Sequence, residues 1–101
     1  MSTLGAELRD ALAQSVSVSD DALVAELADG RTIAVPLAWF PRLVHGTPAE
    51  RANWRLIAVG EGIHWPDLDE DVSVESLLAG RRSGETQESL GRWLQRRESA
   101  V

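Results

Sequence analysis

The sequence predicts an α+β fold: an antiparallel three-stranded meander plus a second hairpin, short helices, and a C-terminal helical tail. Three observations carry this. Apolar residues alternate at period two through residues 15–35, interrupted by AspGly at 29–30. Prolines at 36, 41, 48 and 66 end extended segments or open short helices. Beyond Gly80, Leu90, Trp93 and Leu94 return at helical spacing.

Leu4, Leu8, Ala11 and Leu12 predict a short amphipathic helix over residues 4–13. Val16 and Val18 then alternate with serines as a first strand. In the second, Leu23, Ala25 and Leu27 share one face, with Val24 and Glu26 on the other. AspGly at 29–30 predicts a type I′ hairpin turn, because that turn needs two positive φ values. Thr32 to Val35 return as a β-branched strand, which Pro36 ends. Pro41 fits the first turn of a short helix, placing Trp39, Phe40, Leu43 and Val44 over the sheet. Thr47, Pro48 and Glu50 form a capping box opening a helix over residues 48–53. Residues 54–59 are extended, GluGly at 61–62 turns the chain, and Ile63 and Trp65 share a strand face up to Pro66. Val74, Leu77 and Leu78 form a last short helix, closed by Gly80.

Residues 1–80 thus form one small domain. Residues 81–101 form a linker (81–85) and an amphipathic tail helix capped by Thr86. Gln87 and Glu88 stand in its first turn and Arg92, Arg96 and Arg97 towards its end, as the helix dipole favours. So narrow a stripe does not stabilise a lone helix. The tail either packs on its own domain, docks on another chain (a homodimer included), or stays unfolded.

At 101 residues there is room for one core, and 44% apolar content excludes wholesale disorder. With no cysteine, disulfides and thiolate metal sites are excluded. No apolar run is long enough to span a membrane, and the first ten residues lack a signal peptide's basic flank, so a cytoplasmic location is expected. Every cation is arginine. Residues 1–80 hold 13 acids against 5 arginines and residues 81–101 hold 3 against 5, giving −8 and +2 within a total of −6. An acidic body disfavours nucleic-acid binding by the chain alone and suits a basic protein partner.

The acid run Asp67, Asp69, Glu70 and Asp71 begins like a calcium loop. Val72 then stands where that loop needs glycine, and Leu78 where it needs a bidentate glutamate. The run reads instead as a solvated segment that precedes a helix and can face a cationic partner. His64 has Asp67 or Asp69 within sequence reach, but no serine stands in a nucleophile elbow and no glycine loop cradles phosphate. No catalysis, cofactor or metal is expected. Trp39, Trp54 and Trp65 fill or edge the core. Trp39 and Trp54 with Arg42 and Arg55 also make a candidate partner patch, since tryptophan and arginine dominate binding hot spots.

The run from AspGlyArgThrIle through ProLeuAlaTrpPheProArgLeu to GlyIleHisTrpProAspLeuAspGluAsp resembles the bacterial domain of unknown function 2442 family across residues 15–80. The segment SerGlyGluThrGlnGluSerLeuGlyArgTrpLeu resembles an extension that many members carry. Ala38 departs from the serine expected there. The resemblance implies a small α+β fold without established activity, often encoded beside a toxin-like protein, hence an antitoxin-like role. Some members carry a helix-turn-helix segment, which implies regulation; this chain has too few residues after 80 to hold one.

The function expected is a non-catalytic protein-interaction domain, an antitoxin-like partner of a small basic toxin. Its acid run would supply charge complementarity, while Leu90, Trp93 and Leu94 fill a groove on the partner. The alternative is a DNA-associated transcriptional accessory protein, acting as a dimer through Arg81, Arg82, Arg92, Arg96 and Arg97.

Overall fold

A computed structural model describes residues 11–99. Its framework is two antiparallel meanders. The first comprises β1 (Ala13–Val18), β2 (Ala22–Leu27) and β3 (Thr32–Pro36); the second β4 (Arg55–Ile57), β5 (Gly62–Trp65) and β6 (Glu70–Ser73), each sheet in sequence order. A 3₁₀ turn (Leu37–Trp39) and helices α1 (Pro41–Val44) and α2 (Pro48–Ala52) join the sheets. Helix α3 (Val74–Ala79) follows β6, and α4 (Gln87–Ser99) forms the tail. Among the described residues no helix is long and apolar enough to cross a membrane.

The alternation in β2 places Leu23, Ala25 and Leu27 in the core with Val16 and Val35 beside them. Each fully buried Leu-sized side chain contributes about 1.5–3 kcal/mol. The hairpin between β2 and β3 departs from the type I′ turn that its dipeptide predicts. The Leu27 N–H donates to the Arg31 carbonyl (2.8 Å) and the Gly30 N–H to that of Leu27 (3.1 Å), leaving three residues in the loop. Gly30 has positive φ (93°) while Asp29 does not, so this is a type I turn followed by a left-handed glycine. Asp29 stays right-handed because its carboxylate accepts the Arg31 N–H (3.0 Å) and Nε (2.8 Å). The bond from the Arg31 amide holds the Asp29 carboxyl below its ordinary pKa.

Of the helix predicted over residues 4–13, residues 4–10 lie outside the described residues; Ala13 opens β1 instead. Pro41 begins α1 as expected, and the capping box at α2 is complete: Glu50 N–H to Thr47 Oγ1 at 3.1 Å, Thr47 N–H to Glu50 Oε1 at 2.9 Å. Nothing in the sequence singled out Arg51, yet it is a buried charged residue of the core. Its Nε and Nη2 donate to the Leu43 and Val44 carbonyls, both at 2.8 Å, and Nη1 to Asp20 Oδ1 at 2.8 Å. The guanidinium fork gives a donor to the Val44 carbonyl at the end of this four-residue helix and a further one to the Leu43 carbonyl, which also accepts the Gly46 N–H at 3.1 Å.

In the second sheet Ile63 and Trp65 share the fully buried face, with Val72 beside them. The Trp65 indole N–H donates to the Arg51 carbonyl at 3.0 Å. The expected second hairpin is extended by β6 into a full meander, because Glu70 to Ser73 join β5 instead of remaining a solvated run. An edge strand tolerates this composition: Val72 faces the core while Asp71 and Ser73 face water.

The strand predicted over residues 54–59 stops at Ile57. Ala58, Val59 and Gly60 are all left-handed, at φ 50°, 58° and 96°, closed by the Glu61 N–H on the Ala58 carbonyl (3.1 Å). Gly60 is obligatory, since a Cβ there would lie 2.7 Å from the Ala13 carbonyl oxygen. Val59 is β-branched and 90% exposed, so it bears left-handed strain of about 1–2 kcal/mol with little burial in return. Val59→Asn is therefore expected to stabilise the fold by about 1 kcal/mol, raising Tm by several degrees on thermal denaturation. An unchanged or lowered Tm would show that the turn carries no such strain.

Candidate functional site

The tail lies on its own domain. Trp93 is 4% exposed and belongs to the same core as Leu37, Phe40 and Leu43, with Leu90 and Leu94 half-buried against it. The guanidinium groups of Arg42 and Arg97 stand 5.3 and 4.7 Å from the centre of the Trp93 ring. Arg97 is bidentate on Glu50 (2.8 and 3.0 Å). Arg42 Nε donates to Glu85, and its Nη1 to the Asp69 carbonyl at 2.9 Å. Leu90, Trp93 and Leu94, expected in a partner's groove, and Arg42, expected in a partner patch, are thus engaged within the chain. The physical reason is that the domain supplies what the narrow stripe lacks: an apolar floor that includes Leu37, Phe40 and Leu43, the Arg42 guanidinium over the indole, and the Glu50 carboxylate for the tail's own Arg97.

Residues 81–85 are irregular, as a linker would be, but they are anchored. The Ser83 N–H donates to the Trp39 carbonyl (3.0 Å) and the Arg81 N–H to that of Ser76 (2.9 Å), while Arg82 lies 5.1 Å from the Trp39 ring centre. Trp39 is therefore half-covered, Trp54 is half-buried against the core, and Arg55 is exposed. Of the cations expected to serve nucleic acid, Arg97 is tied to Glu50 and Arg82 rests on Trp39, whereas Arg81, Arg92 and Arg96 are exposed.

The Arg97 guanidinium, with the Thr47 N–H, pulls the Glu50 carboxyl down from its ordinary 4.5 to about 2. A carboxyl depressed in the folded state contributes stability that is present above pH 4.5 and is lost as pH falls through 2. Glu50→Gln is expected to lose part of its stability at pH 7 and to converge on wild type between pH 4.5 and 2, as read by urea unfolding at each pH. A gap unchanged down to pH 2 would refute this. The Arg42 contact lowers Glu85 in the same sense. Burial raises Glu70, whose sign is opposite.

The outer face of the second sheet is open. Register aligns Arg55, His64 and Asp71 across β4, β5 and β6, with Ile57, Gly62 and Ser73 as the next row. His64 Nδ1 pairs with Asp71, not with Asp67 or Asp69. Asp67 instead accepts from Asn53 Nδ2 at 2.8 Å. Asp69 is exposed and left-handed (φ 51°), with Arg42 3.5 Å from its carboxylate. Among the described residues no group of acids and histidines is gathered closely enough to hold a metal ion. Along β6 and onto this face runs a groove of about 400 Å³, with Ile57, Gly62 and residues 70–73 on the sheet side and residues 81–84 as the opposite bank. Phe40 and Ser76 contribute to its wall, and the groove reaches Asp71 but not His64. Sequence reasoning found the acids but not the groove, because β6 carries a single inward apolar residue and gave no strand signal.

Residues 13–83 match the family model of a protein of unknown function, DUF2442. No curated protein matches the chain. A crystal structure of a protein of unknown function from Rhodospirillum rubrum is 25% identical and superimposes with a TM-score of 0.63, covering 77% of this chain and 94% of that one. The solution structure of an uncharacterised protein from Chromobacterium violaceum is 21% identical with a TM-score of 0.64, covering 89% and 87%. The second likeness bears on the fold alone.

Proposed function

The chain belongs to the DUF2442 family of proteins of unknown function, and on that premise we propose that it is a non-catalytic protein-binding domain, antitoxin-like in role, for a small basic partner in the cytoplasm. The observation that carries this is where the charges sit. Arg31, Arg42, Arg51 and Arg97 are all paired with acids of the same chain. Asp21, Glu61, Asp67 and Glu75 are exposed, and among the described residues none of them has an ion-pair partner. These uncompensated carboxylates, within a net charge of −6, favour encounter with a cationic protein over an acidic one. The His64–Asp71 pair fits the same reading. Asp71 lines the groove but His64 does not, so the pair presents no base to a substrate held there.

The test is affinity capture with the tagged full-length chain, identification by mass spectrometry, and elution by a salt gradient. The expected result is one small basic protein, released as salt rises and lost with Asp67→Lys combined with Glu75→Lys. Recovery of the chain alone, or capture indifferent to both salt and charge reversal, would reject the proposal.

A further inference from the structure

The groove beside β6 has the form of a slot for one more strand. Among the described residues β6 is an edge of its sheet, pairing with β5 alone. In an antiparallel ladder alternate residues turn their N–H and C=O outward. The Asp71 N–H bonds the carboxylate of its own neighbour, Glu70 Oε1, at 3.2 Å. That contact marks Asp71, and Ser73 two residues on, as the outward pair, and it places a carboxylate oxygen where an incoming strand's carbonyl would sit. Four residues of edge at about 3.4 Å each match a four-residue segment. The opposite bank at 81–84 is held in place by the Trp39 and Ser76 carbonyls, so the slot exists before anything enters it.

We propose that an extended segment of a partner protein, alternating basic and apolar residues, adds to the edge of β6 between that strand and residues 81–84. This rests on the protein-binding reading and names the segment by which the partner is held. Charge complementarity selects it. An added strand shows alternate side chains to the two faces of the sheet. Those on the open face lie beside exposed Asp71, and those on the other face lie towards Phe40 and Val72. Arg81 and Arg82 on the far bank oppose a uniformly basic segment, so the alternation, and not cationic content alone, confers specificity.

The probe is an amidated eight-residue peptide alternating arginine and valine, with the same composition in block order as control, titrated into the ¹⁵N-labelled full-length chain. The alternating peptide is expected to shift the amides of Asp71, Ser73 and residues 81–84, to slow hydrogen exchange at Asp71, and to bind at least tenfold tighter than the block peptide. Gly84→Trp should weaken it at least tenfold. A Cβ added at Gly84, which lines the groove, meets nothing within 4 Å, so the backbone there accepts a side chain. Asp71→Pro, which removes the outward N–H from an edge position that tolerates proline, should act alike. Equal binding of the two peptides, shifts centred elsewhere, indifference to Gly84→Trp, or no binding would each overturn the proposal. So would concentration-dependent shifts at Asp71 without peptide, which would give the edge to a second copy. If the natural partner is captured equally by wild type and Gly84→Trp, the slot fails while the protein-binding reading stands. If the peptide binds as expected but no basic partner is captured, the reverse holds.

Discussion

Trp93→Ala is expected to lower the unfolding free energy by about 3–5 kcal/mol, the usual range for emptying a buried aromatic site. Three losses combine. The indole leaves a cavity against Leu37, Phe40 and Leu43. Arg42 and Arg97 lose the ring beneath them, worth about 0.5–2 kcal/mol each. The remaining stripe, Leu90 and Leu94, is too narrow to hold thirteen residues of α4 in place. Chemical denaturation gives the magnitude, and hydrogen exchange gives the location: α4 amides should exchange much faster, while β2 amides retain protection relative to global unfolding. A loss under about 1 kcal/mol, with α4 still protected, would mean that the arginine–carboxylate pairs alone hold the tail. Trp93→Phe separates the contributions, keeping most of the apolar volume.

Arg51→Ala is expected to cost about 3 kcal/mol, the upper end for leaving a buried carbonyl without its donor, with the packing of a buried side chain lost as well. The partners decide how that divides. Asp20 is 91% exposed on its side chain, so the ion pair itself is worth at most about 1 kcal/mol, and Asp20→Ala should be nearly silent. The large loss comes from the Val44 carbonyl, left without its donor at the end of α1, whereas the Leu43 carbonyl keeps the Gly46 N–H at 3.1 Å. Arg51→Lys keeps the charge but cannot reach both carbonyls with a planar fork, and an intermediate loss of about 2 kcal/mol is expected. Urea unfolding of the three variants checks the order Ala, Lys, Asp20→Ala. Equal losses for Arg51→Ala and Asp20→Ala would show instead that the ion pair is the source.

The parts of the fold legible in the sequence are those governed by local chemistry. The alternation of Leu23, Ala25 and Leu27, the Thr47–Pro48–Glu50 box, the stop at Pro66 and the left-handed cap at Gly80 each act within a few residues. What escaped depends on distant neighbours. β6 holds one inward apolar residue, and its acids are tolerated because no strand among the described residues lies beyond them. The Asp29 turn was misassigned because a carboxylate bond to Arg31 overrides the dipeptide's preference. Arg51 carried no signal, as its role follows from where the preceding helix, α1, ends. The acids of the candidate site could be read from composition, but the slot beside them arises where β6 meets residues 81–84, and no local pattern encodes that meeting.

Each meander pairs only strands that follow one another, while the bonds from Arg42 to Glu85 and from Arg97 to Glu50 span 43 and 47 residues. The order of assembly follows. Short loops close cheaply, so the hairpins can form early, and the long closure that seats α4 becomes favourable only once α1 and α2 offer a surface to land on. Contacts absent from the folding transition state act on the rate of escape from the native state. The clasp around Trp93 thus governs how long a folded molecule persists, more than how quickly it is reached.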